Sequence, residues 1–65
     1  MIKIKYDKET DVMYIKFSDA EVEESLEEKS GVIIDFDKEG NVVGIELINV
    51  SKSTTSPNSI IYEIA

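Results

Sequence analysis

Ile2, Ile4 and Tyr6 alternate with Lys3 and Lys5, and a period of two predicts a half-buried strand. A polar segment, Asp7 to Asp11, then turns the chain into a second β-rich run, Val12 to Phe17. The plan recurs with Val32 to Asp37, a polar break from Lys38 to Asn41, and Val42 to Ile48. The pattern predicts a mainly β chain in which two similar hairpins, residues 2–17 and 32–48, form an antiparallel sheet.

The two hairpins resemble each other residue by residue. Aligning Ile2 with Val32 brings Asp7, Lys8, Glu9, Val12 and Ile15 onto identical residues at Asp37, Lys38, Glu39, Val42 and Ile45. Ile2/Val32, Ile4/Ile34, Tyr6/Phe36, Met13/Val43 and Phe17/Leu47 are conservative matches. An even-numbered loop puts Ile2, Ile4, Tyr6, Met13, Ile15 and Phe17 on one face, and Val32, Ile34, Phe36, Val43, Ile45 and Leu47 likewise. An odd loop with a bulge at Gly40 would mix Asp35 with Val43 and Glu46 with Val32. Because a one-residue slip moves a whole side-chain set to the wrong face, the even register is expected.

On the opposite face, equivalent positions carry opposite charge: Lys5 against Asp35, and Lys16 against Glu46. If the hairpins associate about a pseudo-twofold, those charges complement, and Tyr14 can lie over Gly44. The acidic link from Ser18 to Gly31 reads two ways. It is either a capped helix with Val22 and Leu26 four apart, or an edge strand in which Val22, Glu24 and Leu26 alternate. A Ser/Thr-rich loop, Ser51 to Ser59, leads to an apolar tail, Ile60 to Ile64, expected as a short docked helix or strand.

Composition narrows the function. Residues 1–65 suffice for one domain with a modest core and marginal stability. With no cysteine and no histidine, disulfides, thiolate metal sites and the commonest general base are absent. A net charge of −7 and the lack of arginine argue against direct nucleic-acid binding. No apolar run reaches membrane-spanning length, and a start in alternating Ile and Lys is unlike a signal peptide, so a cytoplasmic location is expected.

Tyr6-Asp7, Asp11, Tyr14-Ile15, Asp35, Asp37 and the stretch Gly40-Asn41-Val42-Val43-Gly44-Ile45-Glu46-Leu47 carry a resemblance. Up to about Ser51 the chain resembles the short prokaryotic proteins grouped as domain of unknown function 2283. That group has no established activity, so the resemblance implies no catalytic residues. Proteins of this kind are sometimes encoded beside small ribonuclease-like toxins, which implies an antitoxin-like role as one form of its function.

Asp35, Asp37, Glu39 and Glu46, with Gly40, have the spacing of a calcium loop and are weak metal candidates. The strand-like flanks oppose that reading, since such loops lie between helices. Paired carboxylates and many serines are present, but without a histidine to activate a nucleophile the chain leans away from being an enzyme. No catalytic residue and no cofactor are expected. The leading expectation is a non-enzymatic protein-interaction module that forms a homodimer. Its candidate contacts are Tyr14, Ile60, Ile61, Tyr62 and Ile64, together with Glu23, Glu24, Glu27 and Glu28 as an acidic surface for a basic partner. A carboxylate-based cation or small-ligand site in the second hairpin is the alternative.

Overall fold

The alternating runs form strands where the pattern puts them. The structure, a computed structural model covering residues 1–65, has β1 at Lys3–Asp7, β2 at Val12–Lys16, β3 at Glu24–Lys29, β4 at Val32–Phe36 and β5 at Val42–Ile48. All pairings are antiparallel, in one sheet of order β1-β2-β5-β4-β3. A single 3-10 turn follows at Val50–Lys52. The ambiguous link is the edge strand β3, whose Leu26 faces Ile34 across the ladder. It turns into β4 through Ser30 and Gly31, and Gly31 has φ +83 with its carbonyl accepting from the Ile48 amide.

Cross-strand rows explain the two faces. Ile4, Ile15, Ile45, Ile34 and Leu26 lie side by side across all five strands, and the next row on that face runs Tyr6, Met13, Leu47, Val32. Between them, on the other face, runs Lys5, Tyr14, Glu46, Ile33, Glu27, flanked by Lys3, Lys16, Gly44, Asp35, Ser25. The period of two thus gives one apolar and one largely polar face, with Ile33 an apolar residue among the polar rows.

The internal repeat is built into the pairing. β2 meets β5 antiparallel with Ile15 opposite Ile45, so an approximate twofold through that pair relates hairpin one to hairpin two. Lys3–Lys16, Ile4–Ile15 and Lys5–Tyr14 correspond to Ile33–Glu46, Ile34–Ile45 and Asp35–Gly44. The even register holds through the body of both hairpins, but the turns differ. Hairpin one closes at Asp7–Val12 with Asp11 in the left-handed region at φ 59. In hairpin two Gly40 has φ 86, its amide donates to the Asp37 carbonyl at 3.1 Å, and the Asp37 amide donates to Asn41 at 2.9 Å. That is the odd loop, contrary to the choice of an even loop for both hairpins. The shift is undone by a bulge: Asp35 pairs Gly44 and Phe36 pairs Val42, which leaves Val43 as an extra residue. Two irregularities one strand-end apart cancel, so Gly40 takes its bulge without moving the core pattern off its face.

The tail departs from expectation. Residues 59–65 form neither helix nor strand. Ile60, Ile61 and Tyr62 are consecutive apolar residues without alternation, and they lie over the apolar face beside Ile2, Ile4, Ile15 and Phe17, where no ladder hydrogen bonds are on offer. Coverage is therefore thin: of 65 residues three are buried, with Val43 and Val50 the only buried apolar side chains. The surface is 5298 Å², whereas a folded monomer of this mass exposes about 4,200 Å². The radius of gyration, 12.5 Å, exceeds the roughly 10.7 Å of a compact 65-residue domain.

Candidate functional site

The largest concavity is apolar throughout. It has a volume of about 670 Å³ and lies between the tail residues Ile60, Ile61 and Tyr62 and the sheet residues Ile2, Ile4, Ile15 and Phe17. The tail sits on the hairpin-one half of the face only. Its own side chains stay open, with Ile60 56% exposed and Ile61 and Ile64 each 83% exposed. The related half around Ile34 and Ile45 has no such cover, and Val50 approaches it only at the Val32–Leu47 end.

On the opposite face the strands bring together a polar cluster. Gly44 allows the Tyr14 ring to lie across β5: a Cβ at Gly44 would come 2.5 Å from Tyr14 Oη and 2.9 Å from the Ile15 carbonyl. The phenol donates to Asp35 Oδ2 at 2.9 Å, and Ser25 Oγ donates to Asp35 Oδ1 at 2.6 Å. Withdrawal from water, followed by the Asp35 carboxylate, raises the Tyr14 pKa above 10.0. The expected placement of Tyr14 over Gly44 is thus seen. The charge complementarity expected across the hairpins is not, because Lys16 pairs with Asp19 at 3.1 Å, and this is the one ion pair.

A third node ties the 3-10 turn to hairpin one. Asp11 accepts from Tyr6 Oη at 2.7 Å, from Ser51 Oγ at 2.6 Å and from the Ser51 amide, while its carbonyl accepts from the Val50 amide. The Ser51 hydroxyl and then the Tyr6 phenol hold the Asp11 carboxyl below its usual 3.8, and the same hydrogen bond raises Tyr6 above 10.0. Sequence reading missed this node. Its one signal was an aspartate where the other turn has Asn41.

The calcium-loop residues are spread along hairpin two. Asp35 is taken by Tyr14 and Ser25 on β4, and Asp37 Oδ1 caps its turn by accepting from the Glu39 and Asn41 amides at 3.0 and 2.9 Å. Asp7 does the same for hairpin one through the Glu9 amide, which explains why the two aspartates match. Glu39 stands in the turn and Glu46 is on β5 opposite Tyr14, and no three carboxylates gather as a cation site. Glu24, Glu27 and Glu28 lie on the exposed strand β3, with Glu23 just before it.

The family described as "Protein of unknown function (DUF2283)" matches residues 3–51, a segment that runs from β1 to the 3-10 turn. The chain belongs to the DUF2283 family. An uncharacterized protein of Methanocaldococcus jannaschii, MJ0789, is 41% identical over 51 residues, 78% of this chain and 43% of that protein. The matched segment thus spans less than half the length of this relative. No solved structure matches. The DUF2283 match takes in both hairpins, the Tyr14–Gly44–Asp35 cluster and Asp11 with Ser51, and it stops short of the apolar tail. No helix is long and apolar enough to cross a membrane.

Proposed function

We propose that this DUF2283 chain is a non-enzymatic protein-interaction module that works as a homodimer, its apolar sheet face closed against that of a second copy. The uncovered face carries the reading. The surface exceeds that of a compact monomer by roughly 1,100 Å², and a stable interface removes about 800 Å² from each partner. The face displays aliphatic and aromatic side chains, so a twofold contact brings no like charges together, although the chain carries −7 overall. Ile61, Tyr62 and Ile64 stay exposed even where the tail lies over its own sheet, and they are available to the uncovered half of the partner.

Sedimentation equilibrium tests this. A dimer mass is expected at micromolar concentration, reduced to monomer by Ile45→Asp and weakened by ending the chain at Ser59. A stable, cooperatively folded monomer across that range would overturn it. An antitoxin-like role is the form of this reading in which the exposed Glu23, Glu24, Glu27 and Glu28 meet a basic partner; reversing them to lysine should then slow association steeply at low salt.

A further inference from the structure

β1 is one edge of the sheet and β3 the other. The internal twofold carries β1 onto β4, and the outer side of β4 is occupied by β3, antiparallel, with Leu26 opposite Ile34 and Glu27 opposite Ile33. The equivalent outer side of β1 carries no strand. An edge strand presents unpaired backbone N–H and C=O groups, so this side is a template for one more antiparallel strand.

The side chains beside that edge select the charge of what can add there. Lys3 lies directly opposite Lys16, and Lys5 is two residues along on the same face. Like charges directly opposite each other destabilise a strand pair. Lys16 is taken by Asp19, which leaves Lys3 and Lys5 without an ion pair. On the apolar face Ile4, 40% exposed, ends the row that Leu26 closes at the far edge.

A second copy does not fit this slot. Copies sharing one continuous sheet with faces aligned meet antiparallel only as β1 on β1 or β3 on β3. The first sets lysine against lysine and the second glutamate against glutamate. The lysines therefore oppose self-pairing while favouring an acidic strand.

We propose that the outer edge of β1 is a docking site for an extended acidic segment of a partner protein. The segment adds antiparallel, with an apolar residue opposite Ile4 and carboxylates opposite Lys3 and Lys5. The proposal rests on the reading of the chain as an interaction module and names its partner's chemistry, but it uses the edge rather than the apolar face.

The probe is a peptide with the sequence of residues 22–28 carrying Ser25→Glu, which by the internal twofold sets Leu26 opposite Ile4, Glu27 opposite Lys3 and the new glutamate opposite Lys5. Titrated into the full chain, it should shift and protect the amides of Lys3 to Asp7, with affinity falling roughly tenfold or more from low to high salt. The double variant Lys3→Glu, Lys5→Glu should lose this peptide and accept one in which lysines replace the glutamates. Three results would overturn the proposal: no shift in β1 at millimolar peptide, shifts confined to the Ile15–Ile45 face, or equal binding of a scrambled peptide that keeps the charge but loses the alternation. Sedimentation of the double variant separates the two proposals, since its dimer should be unchanged whatever the peptide does.

Discussion

Hairpin one and hairpin two share a register and a repeat of sequence, yet they solve the same problem by different local means. Hairpin one turns through Asp11, a residue with a side chain in the left-handed region, and spends that side chain on Tyr6 and Ser51. Hairpin two turns through Gly40, which makes no side-chain contact, and corrects the resulting offset with an extra residue at Val43. Hairpin two also has a third strand on its outer side, whereas hairpin one has the tail over its face. The difference teaches that the apolar pattern dictates the body of each hairpin, while the ends are free to vary as long as the pattern returns to the same face.

The largest expected effect tests whether the two halves are equally covered in solution. Ile15 and Ile45 face each other on the internal axis and are only half-buried in the lone chain. If a second copy closes the face, Ile15→Ala and Ile45→Ala should each cost about 2–4 kcal/mol by urea unfolding above the dimerisation midpoint. A cost of that size for Ile45 alone would show that the partner covers hairpin two while neither partner nor tail buries Ile15.

Gly44→Ala comes next, at about 1–3 kcal/mol, because the added methyl meets Tyr14 and the Ile15 carbonyl. Adding Tyr14→Ala should recover only part of the loss, since the carbonyl remains 2.9 Å from the new Cβ. Full recovery would mean that the backbone of β2 yields and the ring alone is the obstacle.

The turns themselves should separate more modestly. Asp11→Ala removes the acceptor for Tyr6 and Ser51 and should lower the melting temperature. Gly40→Ala has open space for its Cβ and pays only for φ 86, about 1 kcal/mol. Thermal melts of the two variants under one buffer compare them directly, and equal costs would deny the Asp11 node any role beyond its backbone.

Much of this arrangement was legible in the sequence. Alternation and the matching of Ile15 with Ile45 set the strands and the register, because apolar residues must share a face. Tyr14 over Gly44 was legible because the smallest residue stands where the equivalent residue is a large ring. The tail and the turns were harder to read. Tail residues 60–62 lack any period, and whether Gly40 or Asn41 takes the left-handed position depends on compensation several residues away at Val43. The Asp11–Ser51 node joins residues forty apart in sequence, and no local pattern carries such a pairing.

The smallest effect is the dependence on pH. The folded Asp11 carboxyl lies below 3.8, so its contribution is present above that value and is lost as pH falls through the folded pKa. Melting temperature followed downward from pH 6 should drop less in Asp11→Asn than in the parent, with the remaining slope owed partly to Asp19, which Lys16 lowers in the same sense. On the alkaline side Tyr14 acts oppositely: its raised pKa gives stability below 10.0 that is lost as pH rises through the folded value. Tyr14→Phe should remove that part of the alkaline decline.

The bulge at Val43 has a consequence in time as well as in shape. Asn41 stands where Asp11 stands in the other hairpin, and asparagine, like aspartate, enters the left-handed region several-fold more often than other side-chain-bearing residues. The repeat therefore predicts a second closure for hairpin two, patterned on hairpin one, with Asn41 left-handed, Asp37 opposite Val42 and Val43 drawn back into the ladder opposite Phe36. Exchange between the two closures needs no change in the body of the sheet, since both leave Asp35 opposite Gly44. Gly40→Thr, which copies the residue of hairpin one, should tip the balance to the unbulged form. The carbonyl of Val43, which accepts from Phe17 at 2.7 Å and from Ser18 at 3.3 Å, would then report the switch as a change in amide exchange at the far end of β2.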